Sequence, residues 1–181
     1  TIDQDYQHRF QARAAAEKYA RRFEQGSRAR IDRREQRAVH KIFAALPECR
    51  SILDVPSGAG RFLANLNEAG QRLVIELDSA HEMLCNRLLH HILSAELRVR
   101  ILDEFRRVSR RYLVISFFDY QALATPRRWL KKLQGRRLGH QDYPSLAQFQ
   151  AEAAACGWTL RTLVPTGPFW VAQKYLVMEK D

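Results

Sequence analysis

The stretch ILDVPSGAGRFLANL, residues 52–66, decides the fold. An apolar run stops at Asp54, turns through Pro56, Ser57, Gly58 and Gly60, and passes directly into helical spacing. The pattern predicts a strand, a glycine turn and a helix over 61–69 that Gly70 ends. RLVIELD, residues 72–78, is a second strand only a few residues later. Strand, helix and strand make a βαβ unit, with a parallel strand pair and a right-handed crossover.

Working outward, residues 4–46 read as helix. Ile31, Ala38, Val39, Ile42, Phe43 and Leu46 recur at helical spacing. Gly26-Ser27 divides the segment, with Ser27 as the expected N-cap of its second half. Downstream, Ser94 can cap a helix with Leu97, Ile101, Phe105 and Val108 on its apolar face. RYLVISFF, residues 111–118, is a near-continuous apolar strand, as expected when both faces are covered. Thr125 and Pro126 open a basic helix, RRWLKKLQ. Ser145 caps LAQFQAEAAAC, which Gly157 stops. Two β-rich runs, 158–164 and 170–178, are joined only by PTGPF. So short a link makes them an antiparallel hairpin.

The chain has 181 residues, 46% of them hydrophobic, which suits one globular domain. No apolar run approaches the roughly 20 residues that span a membrane, and the charged first 30 residues carry no signal-peptide pattern. Cys49, Cys85 and Cys156 form no CxxC pair, so reduced core thiols in a cytoplasmic protein are expected. No His/Cys cluster has metal spacing. The net charge of +10 fits anionic partners, or merely arginine-rich solvated faces.

In an open α/β sheet, ligands bind outside the carboxyl ends of the strands. Those ends carry residues 54–60, Asp78, Asn86 with His90 and His91, and Asp119 with Tyr120. Gly58 and Gly60 permit tight turning and close backbone approach to a ligand. A carboxylate such as Asp78, closing the next strand, can accept both hydroxyls of a ribose.

Together these residues resemble the class I S-adenosylmethionine-dependent methyltransferases of the small-molecule type. The family's first motif, acidic-x-Gly-x-Gly-x-Gly, is similar to Asp54-Val55-Pro56-Ser57-Gly58-Ala59-Gly60, with Pro56 in the place of the first glycine. LDSAHEML is similar to the family's second-strand segment, CNRLLHHI to the end of its fourth strand, and residues 101–119 to the helix and strand that follow. The terminal hairpin matches an antiparallel seventh strand. The resemblance implies a Rossmann-like, doubly wound, mostly parallel α/β sheet with a C-terminal antiparallel hairpin. Residues 47–181 would form the methyltransferase part, under an N-terminal helical lid (1–46) carrying Tyr19, Arg22 and Phe23, in one domain overall.

The resemblance also implies S-adenosylmethionine as cofactor and a small or anionic molecule as methyl acceptor. Pro56, Ser57, Gly58 and Gly60 would pass the methionine part along the backbone, and Asp54 would orient the loop and, through water, the cofactor amino group. Asp78 would hold the ribose, Ser79 would stand where the adenine is covered, and backbone near Cys85 and Asn86 would face the amino group. His91 or His90 is a candidate general base beside the acceptor, against a packing role. Three other readings stand beside this one: a nucleic-acid methyltransferase, a non-catalytic protein of degenerate methyltransferase fold, and a nicotinamide dehydrogenase. The closing hairpin speaks against the last.

One departure is large. The family places a helix, a third strand and the start of a fourth between the counterparts of HEML and CNRLLHH, whereas here Cys85 follows Leu84 directly. A parallel neighbour needs a crossover of about a dozen residues. Either a segment is left out after Leu84, which is the expectation, or the sheet has lost a part.

Overall fold

The computed structural model describes residues 21, 23, 25–46, 49, 51–57, 60–62, 66, 72–73, 82–119, 133–134, 143–169 and 171–181. Gly58, Asp78, Ser79, Tyr120, Tyr19 and Arg22 lie outside them. So do most of the helix expected over 61–69 and most of the basic helix after Pro126.

Among the described residues, six strands form one sheet: β1 (Ser51–Asp54), β2 (Arg72–Leu73), β3 (Glu82–Cys85), β4 (Tyr112–Phe118), β5 (Trp158–Pro165) and β6 (Gln173–Lys180). Their order is β2-β1-β3-β4-β6-β5. β2, β1, β3 and β4 run parallel. β6 is antiparallel to both β4 and β5, as the short link between the last two strands requires. The sheet is the Rossmann-like, mostly parallel one expected, closed by the C-terminal hairpin.

Alternation along β4 separates two layers. Leu113, Ile115 and Phe117 face one core, with Leu102 and Phe105 of α2 (Ala95–Val108) and Phe149 and Ala153 of α3 (Leu146–Ala155). Tyr112 and Val114 face the other, with Val39, Ile42 and Phe43 of α1 (Gly26–Ala44). Because both faces are covered, the strand reads as one apolar run. The expected caps of α2 and α3 are present. Ser94 Oγ accepts from the Leu97 N–H at 3.2 Å, and Ser145 and Gln148 form a reciprocal capping box. Gly157, with φ +72°, follows the end of α3 in the left-handed region that glycine enters freely.

α1 departs from expectation in three ways. Its N-cap is Gln25 and Ser27 lies within the first turn, with no side-chain cap. Gly26, at φ +67°, makes the turn instead. Ile31 is 40% exposed, off the buried stripe. The described part of the segment expected as a lid is also a layer of the fold, sharing its core with Ile52, Leu84, Val114, Tyr175 and Val177.

Glu82, Met83, Leu84 and Cys85 are successive residues of β3, and the last three are paired in turn with Leu113, Val114 and Ile115. Across the junction where a segment is expected to be left out, Met83-Leu84 belongs to the same buried strand as Cys85. The shortfall lies upstream. Ile52 is level with Leu73 on one side and with Glu82 on the other, and only residues 74–81 join those two. Eight residues are fewer than a crossover helix with a further strand needs. Among the described residues, β2 is the outermost strand on that side.

Candidate functional site

The carboxyl ends of β1 and β3 lie side by side where the strand order reverses, with β2 to one side of β1 and β3 to the other. Such a switch point opens a crevice for ligands. Asp54 is level with Leu84, and the Val55 N–H bonds to the Leu84 carbonyl at 2.8 Å. The Asp54 Oδ1 atom is buried and, among the described residues, has no hydrogen-bond partner. Burial raises its carboxyl from 3.8 to about 7, against the opposing pull of the Arg61 guanidinium. The turn beyond leaves Pro56 and Ser57 exposed. It closes where the Gly60 N–H meets the Ser57 carbonyl at 3.0 Å. Gly60 has φ +68°, so this glycine is required by the backbone itself.

Asn86 follows β3 and is buried. Its Oδ1 accepts from the Tyr175 hydroxyl of β6 at 3.0 Å, which engages the side chain. Arg87 has φ 58°, and its N–H bonds to Ser116 Oγ at 2.6 Å. A 3-10 turn, Leu89–His91, carries both histidines. The His90 ring lies 4.6 Å from Phe118 and 3.9 Å from His91, centroid to centroid. His91 is the exposed one of the two. Burial of part of its ring, then the Arg87 charge, lower its pKa. A shallow depression beside His90 is lined by Leu89, Phe118, Tyr143 and Pro144. Asp119 pairs with Lys174 Nζ at 2.8 Å, an anchor between β4 and β6.

The expected residues Asp54, Pro56, Ser57, Gly60, Asn86, His90 and His91 thus stand at the adjoining ends of β1 and β3 and just beyond them. Gly58, Asp78 and Ser79 lie outside the described residues. The three cysteines are buried free thiols. Burial first, then Glu82, pushes Cys49 up to about 12, and Cys85 is raised by burial too. Neither is an activated nucleophile.

Sequence reasoning missed four charged residues. Arg61, next after Gly60, donates from Nε to Asp32 Oδ1 at 2.8 Å and from Nη2 to Glu35 Oε2 at 2.6 Å. Arg87 donates from Nε to Glu35 Oε1 at 3.1 Å. Phe23 lies 3.9 Å from the Arg61 guanidinium carbon, measured to the ring centroid. A signal was available. Asp32 and Glu35 stand on the same helical stripe as Val39, Ile42 and Phe43, and an acid on an apolar stripe requires a buried partner.

No protein-family model and no characterised protein matches the sequence. Solved structures match by fold. Magnesium protoporphyrin IX methyltransferase of Synechocystis PCC 6803, with bound SAH, superposes with a TM-score of 0.65 at 15% identity, over 99% of this chain and 100% of that one. The CcbJ methyltransferase of Streptomyces caelestis gives 0.62 at 9% identity, over 82% and 96%. Human N-acetylserotonin methyltransferase, in complex with SAM, gives 0.59 at 13% identity, over 80% and 51%. The chain has the fold that these methyltransferases share.

Proposed function

We propose that the protein is an S-adenosylmethionine-dependent methyltransferase acting on a small or anionic molecule. The observation that carries this reading is Asp54. A buried carboxylate oxygen without a donor among the described residues, at the switch point of this fold, fits the ammonium group of the cofactor's methionine part. The left-handed Gly60 turn fits backbone approach to the same moiety. When bound, the cofactor supplies a sulfonium methyl whose leaving group is already activated.

The chain's own residues then align and exclude water more than they transfer charge. Asp54 holds the ammonium, the turn through Gly60 supports the methionine chain, and the backbone at Asn86 faces it. Asp78 holds the ribose. His91, whose pKa burial and the Arg87 charge lower, is the candidate to accept a proton from the methyl acceptor, while His90 packs between it and Phe118. Asp78→Ala, titrated with S-adenosylhomocysteine, should lose roughly ten- to a hundredfold in affinity, the equivalent of a charge-assisted hydrogen bond. Unchanged affinity in a folded variant removes Asp78 from the site.

One observation favours a nucleic-acid acceptor as the second reading. Arg30, Arg33, Arg34, Arg37 and Lys41 are all exposed on α1 and fall on one stripe about 16 Å long, while the helix's acids, Asp32 and Glu35, are buried on the other side. If all five cations contact phosphates, binding to single-stranded RNA falls with salt at a log–log slope near −3.5, about 0.7 per phosphate. No salt-dependent RNA binding at low ionic strength leaves the small-molecule reading alone.

A further inference from the structure

We propose that Glu35 is a positioning residue that holds the two loops of the cofactor cleft in one geometry, a role that rests on the methyltransferase reading. Glu35 belongs to neither loop. It sits on α1 with its side chain fully buried, 0% exposed. One of its oxygens takes the guanidinium of Arg61, the residue after Gly60. The other takes that of Arg87, the residue after Asn86, through both Nε and Nη2. A single carboxylate therefore spans the turn beyond β1 and the turn beyond β3.

The surroundings support a geometric role. Arg61 is held a second time, by Asp32, and Asp32 in turn accepts from Gln36 Nε2 at 2.7 Å. The Arg87 backbone is fixed to β4 through Ser116. A buried ionic cluster is a poor source of net stability, because desolvation offsets most of the attraction. Its place at the two strand-end turns is better explained by what it orients. The two acids of α1 balance the two guanidinia. Among the described residues Asp54 Oδ1 has no hydrogen-bond partner, although Arg61 is near enough for its charge to be felt there. Without Glu35, Arg61 keeps only its hold on Asp32, and Arg87 loses the carboxylate that ties it to the turn beyond β1.

The test is a double-mutant cycle read by S-adenosylhomocysteine affinity, with thermal melting in parallel. The proteins are wild type, Glu35→Gln, Arg87→Gln and the double variant. The Arg87 side chain is 27% exposed, and the double variant removes the charge imbalance that Glu35→Gln creates, so both report even if Glu35→Gln fails to fold. The expected result is a loss of about tenfold or more in each single variant and no further loss in the double, the non-additivity of groups acting as one. A merely structural role lowers melting temperatures and leaves affinity as in wild type. That pattern, or additive losses, overturns the proposal while leaving the cofactor reading in place. Wild type that fails to bind removes the cofactor reading, and the proposal with it.

Discussion

Asp54 carries the site's chemistry at the scale of one residue. Its carboxyl titrates near 7 in the free protein against 3.8 ordinarily. Between those values the native state keeps a proton that the unfolded chain has released. The resulting stability is fully present below about pH 4 and lost as pH rises through 7. Asp54→Asn should therefore gain melting temperature relative to wild type at pH 8 and lose that advantage at pH 4, checked by paired thermal melts. Cofactor binding has the opposite trend, because only the ionised carboxylate holds an ammonium. Wild-type affinity should rise from pH 6 to pH 8, and in Asp54→Asn it should be weak and flat. Gly60 makes a separate prediction. Its φ of +68° means that any side chain costs about 1–2 kcal/mol of backbone strain. Gly60→Val should show that loss in denaturant unfolding, together with a loss of S-adenosylhomocysteine binding. A stable variant that binds normally would show that the turn serves packing alone.

Elements differ in how openly the sequence declares them. β4, β5, β6, α2 and α3 were legible because long periodic runs sit between clear caps at Ser94 and Ser145 and a clear stop at Gly157. β3 was divided because the resemblance put HEML with the second-strand segment and CNRLLHHI with the end of the fourth strand, and four buried residues are too few for periodicity to decide. Only pairing with both β1 and β4 makes Met83 and Leu84 strand residues. Asp54 and the glycine turn were visible as a motif, whereas the Glu35 cluster depends on three elements meeting. Arg98 shows a purely structural link at this scale. With its side chain 4% exposed, it bridges α2 to Glu152 of α3 and donates to the carbonyls of Ile92 and Leu93. Arg98→Ala strands a partly buried acid and should cost about 3 kcal/mol in unfolding free energy. Cofactor affinity should be unchanged in that variant, which makes it the control for Glu35→Gln.

Across the whole molecule, the sheet is that of the methyltransferases, with its switch point intact and its β2 side short. Eight residues, 74–81, are too few for a further helix and strand beyond β2, and the ends of β1 and β3, where Asp54, Gly60 and Asn86 stand, adjoin. The central claim is that this cleft binds the cofactor. The direct measurement is calorimetric titration of wild-type protein with S-adenosylhomocysteine at pH 8. With about 26 heavy atoms at roughly 0.3 kcal/mol each, a well-fitted cofactor of this size gives a dissociation constant in about the micromolar range. Saturable binding at that level, one per chain, is the expected result. Folded protein that shows no saturation up to about a millimolar would contradict the account and favour a non-catalytic protein that keeps only the fold.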